Sequence, residues 1–363
     1  MKIIVVAGAR PNFMKIAPLM RAFGTRRQAD LEVLLVHTGQ HYGSQMSDEF
    51  FRELEIREPD INLGAGSGTH AEQTAKVMVA FEKACECEKP DLVIVVGDVN
   101  STMACAISAK KLGIRVAHIE AGLRSRDRGM PEEINRLCTD AISDLLFTTD
   151  EIAGANLREE GIPEERIHFV GNTMIDTLLR HIDTARAIPL PPGVEAGRYA
   201  VLTLHRPANV DSSENLAALF CVLGEIAERI PMVFPAHPRT LRNLARLKLH
   251  PAIRVTEPMS YLPFIGLVAN SRMVLTDSGG IQEETTVLGV PCLTMRDNTE
   301  RPITCSVGTN TLVGTDKKKI REEAFAILNG AVRRSSIPPK WDGRAAERIV
   351  DLILPTSAKS QAA

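Results

Sequence analysis

The sequence predicts an α/β protein with two domains, each built around a parallel β-sheet. Short apolar runs alternate with amphipathic helical patterns, as expected for strands buried on both faces and joined by helices. The alternation stops at a segment rich in proline and glycine, residues 186–198, and then starts again. Polar side chains directly follow several apolar runs. This order favours a Rossmann-like sheet in each half, with ligands bound in a cleft between the domains.

The N-terminal domain is placed at residues 1–172 and the C-terminal domain at residues 173–344. The strands predicted in the first domain are residues 3–7, 31–37, 92–96, 115–119 and 145–148. Those predicted in the second are residues 199–204, 232–235, 273–276 and 290–294. Helical patterns occupy residues 12–23, 69–84, 101–112, 132–143, 213–229, 260–269, 281–288 and 318–330. A last amphipathic pattern at residues 343–354 predicts a closing helix.

The composition excludes several classes of function. The formal net charge is -2 for 363 residues, so no basic surplus indicates nucleic acid or anionic lipid as a partner. No apolar run reaches the roughly 18 to 20 residues that cross a bilayer, and the N-terminus does not have the pattern of a signal peptide. We therefore expect a cytoplasmic protein. Cys105, Cys138 and Cys292 have apolar neighbours and are expected to be reduced core residues.

The first strand ends in a turn that suits an anion. Gly8 permits a tight turn, Arg10 follows at the carboxyl edge of the sheet, and Lys15 falls early in the next helix. A guanidinium, an ammonium and a helix N-terminus then meet at one point, which favours a phosphate group. A surface arginine and lysine beside a turn would give the same pattern, so this signal is weak by itself.

Two carboxylates follow predicted strands directly. Asp98 and Glu120 are separated by one β-α unit, and neighbouring parallel strands end at the same edge of a sheet. We therefore expect both side chains in one region. Glu132 and Glu133 come after Pro131 at the start of the next helix, where at least one of them is expected only to complement the helix dipole.

The second domain places two histidines at strand ends. His205 is followed by Arg206, and His237 is followed by Pro238 and Arg239. One such histidine is most often a satisfied core residue, but two at equivalent strand ends beside arginines favour a polyanion site. The sequence lacks the histidine spacings of common metal sites, so we expect no catalytic metal.

The most specific single motif is DSGGIQEE at residues 277–284, between a strand and a helix. Ser278, Gly279 and Gly280 leave backbone N–H groups available to a phosphate at the helix N-terminus. Glu284 lies further along the helix, within reach of ribose hydroxyls. This arrangement predicts a nucleoside diphosphate. The GAGSG run does not fit the dinucleotide fingerprint and no P-loop is present, so NAD and ATP are not expected.

Together these motifs resemble the non-hydrolysing UDP-N-acetylglucosamine 2-epimerases, over roughly residues 1–355. The matching segments are GARPNFMKIAPL, TGQHY, VVGDVNST, HIEAGLRS, MPEEINR, GNTMIDTL, LHRPANVD, DSGGIQEE and RDNTERP. The resemblance implies a GT-B-like pair of Rossmann-like domains, a UDP-sugar substrate and a homodimer. It also implies that the C-terminal helix, residues 345–358, packs back on the first domain.

The same resemblance implies roles for individual residues. The catalytic positions of the family match Asp98, Glu120, Glu132 and His205. Positions that hold UDP or lie beside the sugar match Arg10, Lys15, Ser278 and Glu284. Further positions of the cleft match His237 and Arg301. Segments that form a second, regulatory site for the substrate in some bacterial members contain Gln40, His41 and Gln73.

Two departures from the family pattern bear on regulation and substrate. Asn12 stands where many members have glutamate, and the HRPAN segment with Pro207 stands where many have HRREN. Proline stiffens that loop and removes a backbone donor. The missing charges leave allosteric control open, and they also leave room for a modified UDP-N-acetylhexosamine as substrate.

The resemblance leads to a hypothesis for the reaction, an anti elimination of UDP that leaves a 2-acetamidoglucal, followed by re-addition of UDP. Such a reaction needs no cofactor. Asp98, Glu120 and Glu132 are expected to transfer protons, Lys15 to stabilise a carboxylate or phosphate, and His205 to contact the diphosphate. The product would feed a cell-surface polysaccharide. Three alternatives stay open: a hydrolysing epimerase, a GT-B glycosyltransferase, and a non-catalytic sugar-nucleotide sensor.

Overall fold

The structure is a computed structural model that describes residues 1–26, 30–39, 51–236, 238–244, 247–331 and 333–354. The predicted site residues Gln40, His41 and His237 lie outside these residues, as does the side chain of Arg10. The chain divides into two units. The first joins Met1–Leu179 to Pro339–Ala363, and the second is Arg180–Pro338.

The described part of the first unit contains a seven-stranded parallel sheet. Its strands are β1 (Lys2–Ala7), β2 (Glu32–His37), β3 (Ile61–Asn62), β4 (Leu92–Val96), β5 (Arg115–Ile119), β6 (Leu145–Thr148) and β7 (Ile167–Phe169). The spatial order is β3-β2-β1-β4-β5-β6-β7. The winding reverses between β1 and β4, so the carboxyl ends of these two strands form a topological switch point, where ligands bind in sheets of this kind.

Six helices of the described chain follow these strands. They are α1 (Arg10–Gly24), α2 (His70–Glu88), α3 (Asn100–Lys111), α4 (Pro131–Ile142), α5 (Glu151–Glu159) and α6 (Thr173–Ala187), the last of which continues into the second unit. Local sequence explains two of the starts. Thr69 accepts the backbone N–H of Glu72 while the Glu72 carboxylate accepts that of Thr69, which is a capping box for α2. Pro131 occupies the first turn of α4.

The second unit repeats the plan with a six-stranded parallel sheet in its described part. Its strands are β8 (Ala200–Thr203), β9 (Met232–Pro235), β10 (Ile253–Thr256), β11 (Met273–Thr276), β12 (Cys292–Thr294) and β13 (Asn310–Leu312). The order is β10-β9-β8-β11-β12-β13, with the switch point between β8 and β11. The helices are α7 (Pro207–Val210), α8 (Ser213–Ala227), α9 (Pro238–Leu244), α10 (Tyr261–Ala269), α11 (Gly279–Leu288), α12 (Pro302–Ser306) and α13 (Lys317–Leu328).

The C-terminal helix α14 (Ala345–Ile353) belongs to the first unit and packs against α1. The buried carboxylate of Asp176 accepts the backbone N–H groups of Ala345 at 3.1 Å and Ala346 at 2.8 Å, which caps the helix. Burial raises the pKa of Asp176 to about 6, although these two donors act in the opposite direction. The indole N–H of Trp341 donates to the Thr149 carbonyl at 2.9 Å.

The predicted fold class, two α/β units with parallel sheets, is confirmed. The division of the chain differs from residues 172 and 344, because Thr177 donates to the Met14 carbonyl and Asp176 caps α14, which joins the start of α6 to the first unit. The expectation for Cys138 is wrong: its side chain is exposed on the outer face of α4. None of the described helices is long and apolar enough to span a bilayer.

Candidate active site

The switch point of the first unit brings Lys15 and Glu120 together. Lys15 lies on α1 and Glu120 directly follows β5. The Lys15 Nζ is 2.5 Å from the Glu120 Oε2, and the two side chains are only 7% and 2% exposed. Gly97, after β4, lies against this pair, since a Cβ at that position would be 3.2 Å from the Lys15 Nζ. The structure thus places a buried ion pair at the sheet edge where ligands bind in folds of this kind.

The backbone at Glu120 is held in an unusual conformation. Its φ is 69°, in the left-handed region that residues with a side chain rarely adopt. Such a conformation costs roughly 1 to 3 kcal/mol and persists only when the surrounding contacts determine it. Residues of this kind cluster at functional sites, so the strain marks the turn after β5 as a candidate for function.

Asp98 is oriented by Arg136, a residue that the sequence analysis did not single out. The Arg136 Nη1 is 2.5 Å from the Asp98 Oδ2, and its Nη2 is 2.6 Å from the Glu133 Oε2. Arg136 and Glu133 are buried, whereas Asp98 is partly exposed. Burial alone would raise the pKa of Glu133, but the Ser125 N–H and the Arg136 guanidinium outweigh it and lower that pKa. Of these three side chains, Asp98 is thus the one that is accessible to solvent.

Behind these groups lies a second buried network. His118 on β5 is fully buried, with its Nδ1 at 2.6 Å from the Asp140 Oδ1 and its Nε2 at 2.8 Å from the Gly97 carbonyl oxygen. Asp140 also accepts the Gly122 N–H at 3.0 Å and pairs with Arg124 at 2.7 Å. Burial would raise the pKa of Asp140, but His118 and Arg124 outweigh it and lower the pKa.

The remaining predicted positions of the first unit have mixed surroundings. Asn12 is buried and accepts the N–H groups of Gly8 and Ala9, while its amide donates to the Val96 carbonyl at 3.0 Å. This departure from the family pattern therefore braces the turn after β1. Glu132 is half-buried in the first turn of α4. Gln73 donates to the Gly66 carbonyl at 3.3 Å and accepts from Asn100 at 2.9 Å, which ties the glycine-rich loop to α3.

In the second unit, Asp277 organises the turn that carries His205. The Asp277 carboxylate is fully buried and accepts the backbone N–H groups of His205 and Arg206, the latter at 2.8 Å. It also accepts the Asn209 amide at 3.1 Å and lies 2.8 Å from the His205 Nδ1. Burial would raise the pKa of Asp277, but these donors lower it. The imidazole of His205 is half exposed, with its Nδ1 held and its other edge directed outward.

Ser278, Gly279 and Gly280 form the start of α11 at the switch point of the second unit. The need for glycine at 279 is steric: a Cβ there would lie 2.6 Å from the Glu300 Oε1 and 2.7 Å from the Arg301 Nη1. Arg301 is buried beneath this turn, with its Nε 2.9 Å from the Glu283 Oε2, and also bonds Glu300. The motif thus presents a helix N-terminus above a buried ion-pair network, which suits an anion.

Glu284 is buried one turn into α11. The Tyr261 hydroxyl donates to its Oε1 at 3.0 Å. Burial raises the pKa of Glu284 to about 8; the bond from Tyr261 acts in the opposite direction, and the neighbouring Glu283 adds to the rise. Near neutral pH the group is therefore largely a carboxylic acid, which can both donate and accept hydrogen bonds.

A family model described as UDP-N-acetylglucosamine 2-epimerase matches residues 24–354. The chain belongs to that family. The UDP-N-acetylglucosamine 2-epimerase of Methanocaldococcus jannaschii is 44% identical, over 97% of this chain and 99% of the relative. The UDP-2,3-diacetamido-2,3-dideoxy-D-glucuronate 2-epimerase of Pseudomonas aeruginosa is 40% identical, over 97% and 99%. The M. jannaschii UDP-GlcNAc 2-epimerase in complex with UDP-GlcNAc and UDP matches with a TM-score of 0.89 and 43% identity, over 97% and 99%.

In this member of the epimerase family, most of the site residues that were predicted from sequence and that the structure describes fall into two groups. Lys15, Asp98 and Glu120 lie at or beside the switch point of the first unit, and Glu132 lies at the start of α4. The residues at or beside the switch point of the second unit are His205, Ser278, Gly279, Gly280, Glu284 and Arg301. In the described part of the chain, no three His, Cys, Asp or Glu side chains are grouped as a metal site requires.

The partners of these residues were missed. Arg136 had a visible signal, because it stands three residues after Glu133 and so faces it on one helix. Asp277 also had a signal in the sequence, because it begins the DSGGIQEE motif, but that motif was interpreted only as a phosphate loop. Its role in holding His205 depends on a strand pairing across some seventy residues, which no local pattern reveals.

Proposed function

We propose that this protein interconverts UDP-N-acetylglucosamine and UDP-N-acetylmannosamine by inverting C2 of the sugar. The observation that carries the proposal is the buried Lys15–Glu120 pair, with the Lys15 Nζ 2.5 Å from the Glu120 Oε2, at the same sheet edge as Asp98. Relatives that cover nearly the whole chain are named as 2-epimerases of UDP-sugars. Carboxylates in different surroundings are the groups that can act as base and acid at one carbon.

The proposed chemistry is an elimination followed by an addition. A base removes the proton from C2, the C–H electron pair becomes the C1=C2 double bond, and the C1–O bond breaks with its electrons on UDP. The 2-acetamidoglucal then receives a proton on the opposite face of C2 while a UDP oxygen bonds to C1. Atoms and electrons balance without an oxidant, since substrate and product are isomers.

The residues divide this work between binding and proton transfer. We assign proton transfer to Asp98, Glu120 and Glu132, and charge stabilisation to Lys15. The groups assigned to UDP and its phosphates are Arg10, His205, His237, Ser278, Gly279, Gly280, Glu284 and Arg301. The support for this assignment is the half-exposed edge of His205, the helix N-terminus at Ser278, and the acid form of Glu284.

Turnover in deuterated water tests the function directly. The purified protein is incubated with UDP-N-acetylglucosamine, and the anomeric and C2 proton signals are followed by NMR. We expect a UDP-linked epimer and deuterium at C2 of both sugars. Free N-acetylmannosamine with UDP would favour a hydrolysing enzyme, and epimer without solvent deuterium would rule out the elimination.

A variant of Asp98 separates proton transfer from folding. Asp98→Asn is expected to lower kcat by roughly 10² to 10⁴-fold, the usual contribution of a general acid or base. Asp183→Asn, an exposed position on α6, is the matched control and should keep full activity. A loss of less than about threefold in Asp98→Asn would make Asp98 structural.

A second candidate substrate follows from the P. aeruginosa relative, which is 40% identical over nearly the whole chain. That protein is named for a UDP-2,3-diacetamido-2,3-dideoxy-D-glucuronate. The same elimination operates on such a sugar, because C1 and C2 are unchanged. Comparison of kcat/KM for the two UDP-sugars under identical conditions decides between them.

We also propose a homodimer, with contacts from the first unit. Among the apolar side chains that its helices expose, Val79 on α2 is 56% exposed and Ile134 on α4 is 48% exposed. Sedimentation should give a dimer for the native protein and a monomer for Val79→Glu with Ile134→Glu. The matched control is Ile337→Glu, a similarly exposed residue of the second unit, which should stay dimeric.

Three further features are proposed with the function. Its substrate is a soluble metabolite, so we place the protein in the cytoplasm, and its product would supply a cell-surface polysaccharide. Gln40, His41 and Gln73 remain a predicted regulatory set. Since Gln73 joins Gly66 to Asn100, its replacement by alanine should change the dependence of rate on substrate concentration if that set binds a second substrate molecule.

A further inference from the structure

His118 is a buried histidine that the proposed chemistry does not use. It lies between two turns that do carry chemistry, the turn after β4 with Gly97 and Asp98 and the turn after β5 with Glu120. Its Nε2 meets the carbonyl oxygen of Gly97 at 2.8 Å. Its Nδ1 meets Asp140, which in turn accepts the Gly122 N–H at 3.0 Å. One imidazole therefore connects both turns.

The hydrogen bonds also define the partner of each ring nitrogen. A carbonyl oxygen can only accept, so the Nε2 facing Gly97 must carry a proton. The other oxygen of Asp140 is occupied by the Gly122 N–H and the Arg124 guanidinium, both of which favour an ionised carboxylate. The Nδ1 lies 2.6 Å from the remaining oxygen of that carboxylate, so both ring nitrogens have a buried polar partner.

We propose that His118 is a positioning residue for the epimerase reaction, a buried ring that fixes the Gly97 carbonyl and thereby the place of Asp98. The proposal rests on the proposed function for its kinetic consequence. Gly97 has a φ of 71° and lies against the Lys15 Nζ, so rotation of its peptide would move both Asp98 and the Lys15–Glu120 pair. Any buried histidine needs partners for its ring nitrogens, and here one partner is the peptide that directly precedes Asp98.

Two variants test the hydrogen bonds of the two ring nitrogens separately. An asparagine amide at position 118 reaches the place of Nδ1 and can keep the bond to Asp140, but it falls short of the Gly97 carbonyl. A glutamine amide reaches the place of Nε2 and can keep the Gly97 bond while it loses the bond to Asp140. Both variants replace a buried ring by a smaller amide, so both should lose stability to a similar extent.

The Gly97 bond is expected to govern kcat. We expect His118→Asn to lower kcat about 100-fold, the loss typical of a reacting group displaced by about 1 Å, with KM within about threefold. His118→Gln should stay within about tenfold of the native kcat. His168→Asn, a partly buried histidine on β7 of the same sheet, is the matched control and should lower the unfolding temperature without changing kcat. Equal kcat losses in the two His118 variants, or no loss in His118→Asn, would overturn the proposal.

Two measurements do not depend on activity. The ¹⁵N signals of His118 should show a protonated Nε2, as the bond to the Gly97 carbonyl requires, and an unprotonated Nε2 would refute that bond. Backbone amide exchange in a peptide covering Gly97 and Asp98 should be faster in His118→Asn than in His118→Gln. If the native protein fails to exchange the C2 proton, the proposed function is lost, and these two measurements still decide whether His118 fixes the turn.

Discussion

Replacing Lys15 by methionine removes the ammonium group from beside a buried carboxylate. The side chains of Lys15 and Glu120 are 7% and 2% exposed, with 2.5 Å between the paired atoms. Breaking a buried ion pair by removal of one partner costs roughly 3 to 5 kcal/mol. In a domain of about 150 to 250 residues, each kcal/mol lowers the unfolding temperature by roughly 2 to 4 °C. We therefore expect Lys15→Met to unfold about 6 to 20 °C lower than the native protein.

The double variant Lys15→Met with Glu120→Gln supplies the decisive comparison, measured by scanning calorimetry. Removing both charges leaves no buried carboxylate to desolvate, so at least half of the lost stability should return. The matched control is Lys2→Met, which breaks a partly exposed pair with Glu88 at 2.9 Å and should cost far less stability than Lys15→Met. The reasoning fails if Lys15→Met is as stable as Lys2→Met, or if the double variant is no more stable than the single one.

Three further predictions concern the second unit. Gly279→Ala should lower the free energy of unfolding by about 1 to 3 kcal/mol in urea, because a Cβ would lie 2.6 Å from the Glu300 Oε1; Gly24→Ala, which meets nothing within 4 Å, should not lower it. Burial raises the pKa of Glu284 to about 8, above its value in the unfolded chain, so its contribution to stability is present at acid pH and is lost as pH rises through about 8. The unfolding temperature of Glu284→Gln, relative to that of the native protein, should therefore rise between about pH 5 and pH 9. A difference in unfolding temperature that does not change with pH would contradict this. Asp277→Asn should weaken UDP binding about tenfold by calorimetry with an unchanged circular dichroism spectrum, because an amide can accept fewer of the donors around it.

Strands within longer apolar runs were predictable, and β3, β7, β10 and β13 were not. The runs at β1 and β4 are almost entirely apolar and buried, so their periodicity identifies them. By contrast, β3 has two residues and β13 has three, which is too short for any period to appear. These strands form because a neighbouring strand offers them hydrogen-bonding partners. Helix α6 was also not predicted, although its buried Met174, Ile175 and Leu178 follow a helical period.

Positions at strand ends were predictable within the site, and their partners were not. Asp98 and Glu120 could be placed together from chain order alone, because successive parallel strands end at one edge. Their salt-bridge partners, however, come from other elements. Arg136 reaches Asp98 from α4, and Lys15 reaches Glu120 from α1 across 105 residues. The sequence left open whether Lys15 meets a carboxylate or a phosphate, and the fold shows it paired with the carboxylate of Glu120.

The first unit takes material from both ends of the chain, and this has a consequence during synthesis. Residues Arg180–Pro338 separate its two parts. Asp176, Thr149 and α1 are therefore made well before Trp341 and α14, which they contact in the folded protein. At about 5 to 20 residues per second, that delay is on the order of ten to thirty seconds. Throughout this time the face of α1 that α14 will cover is open to chaperones and to other nascent chains. The second unit has its whole sequence before α14 is made.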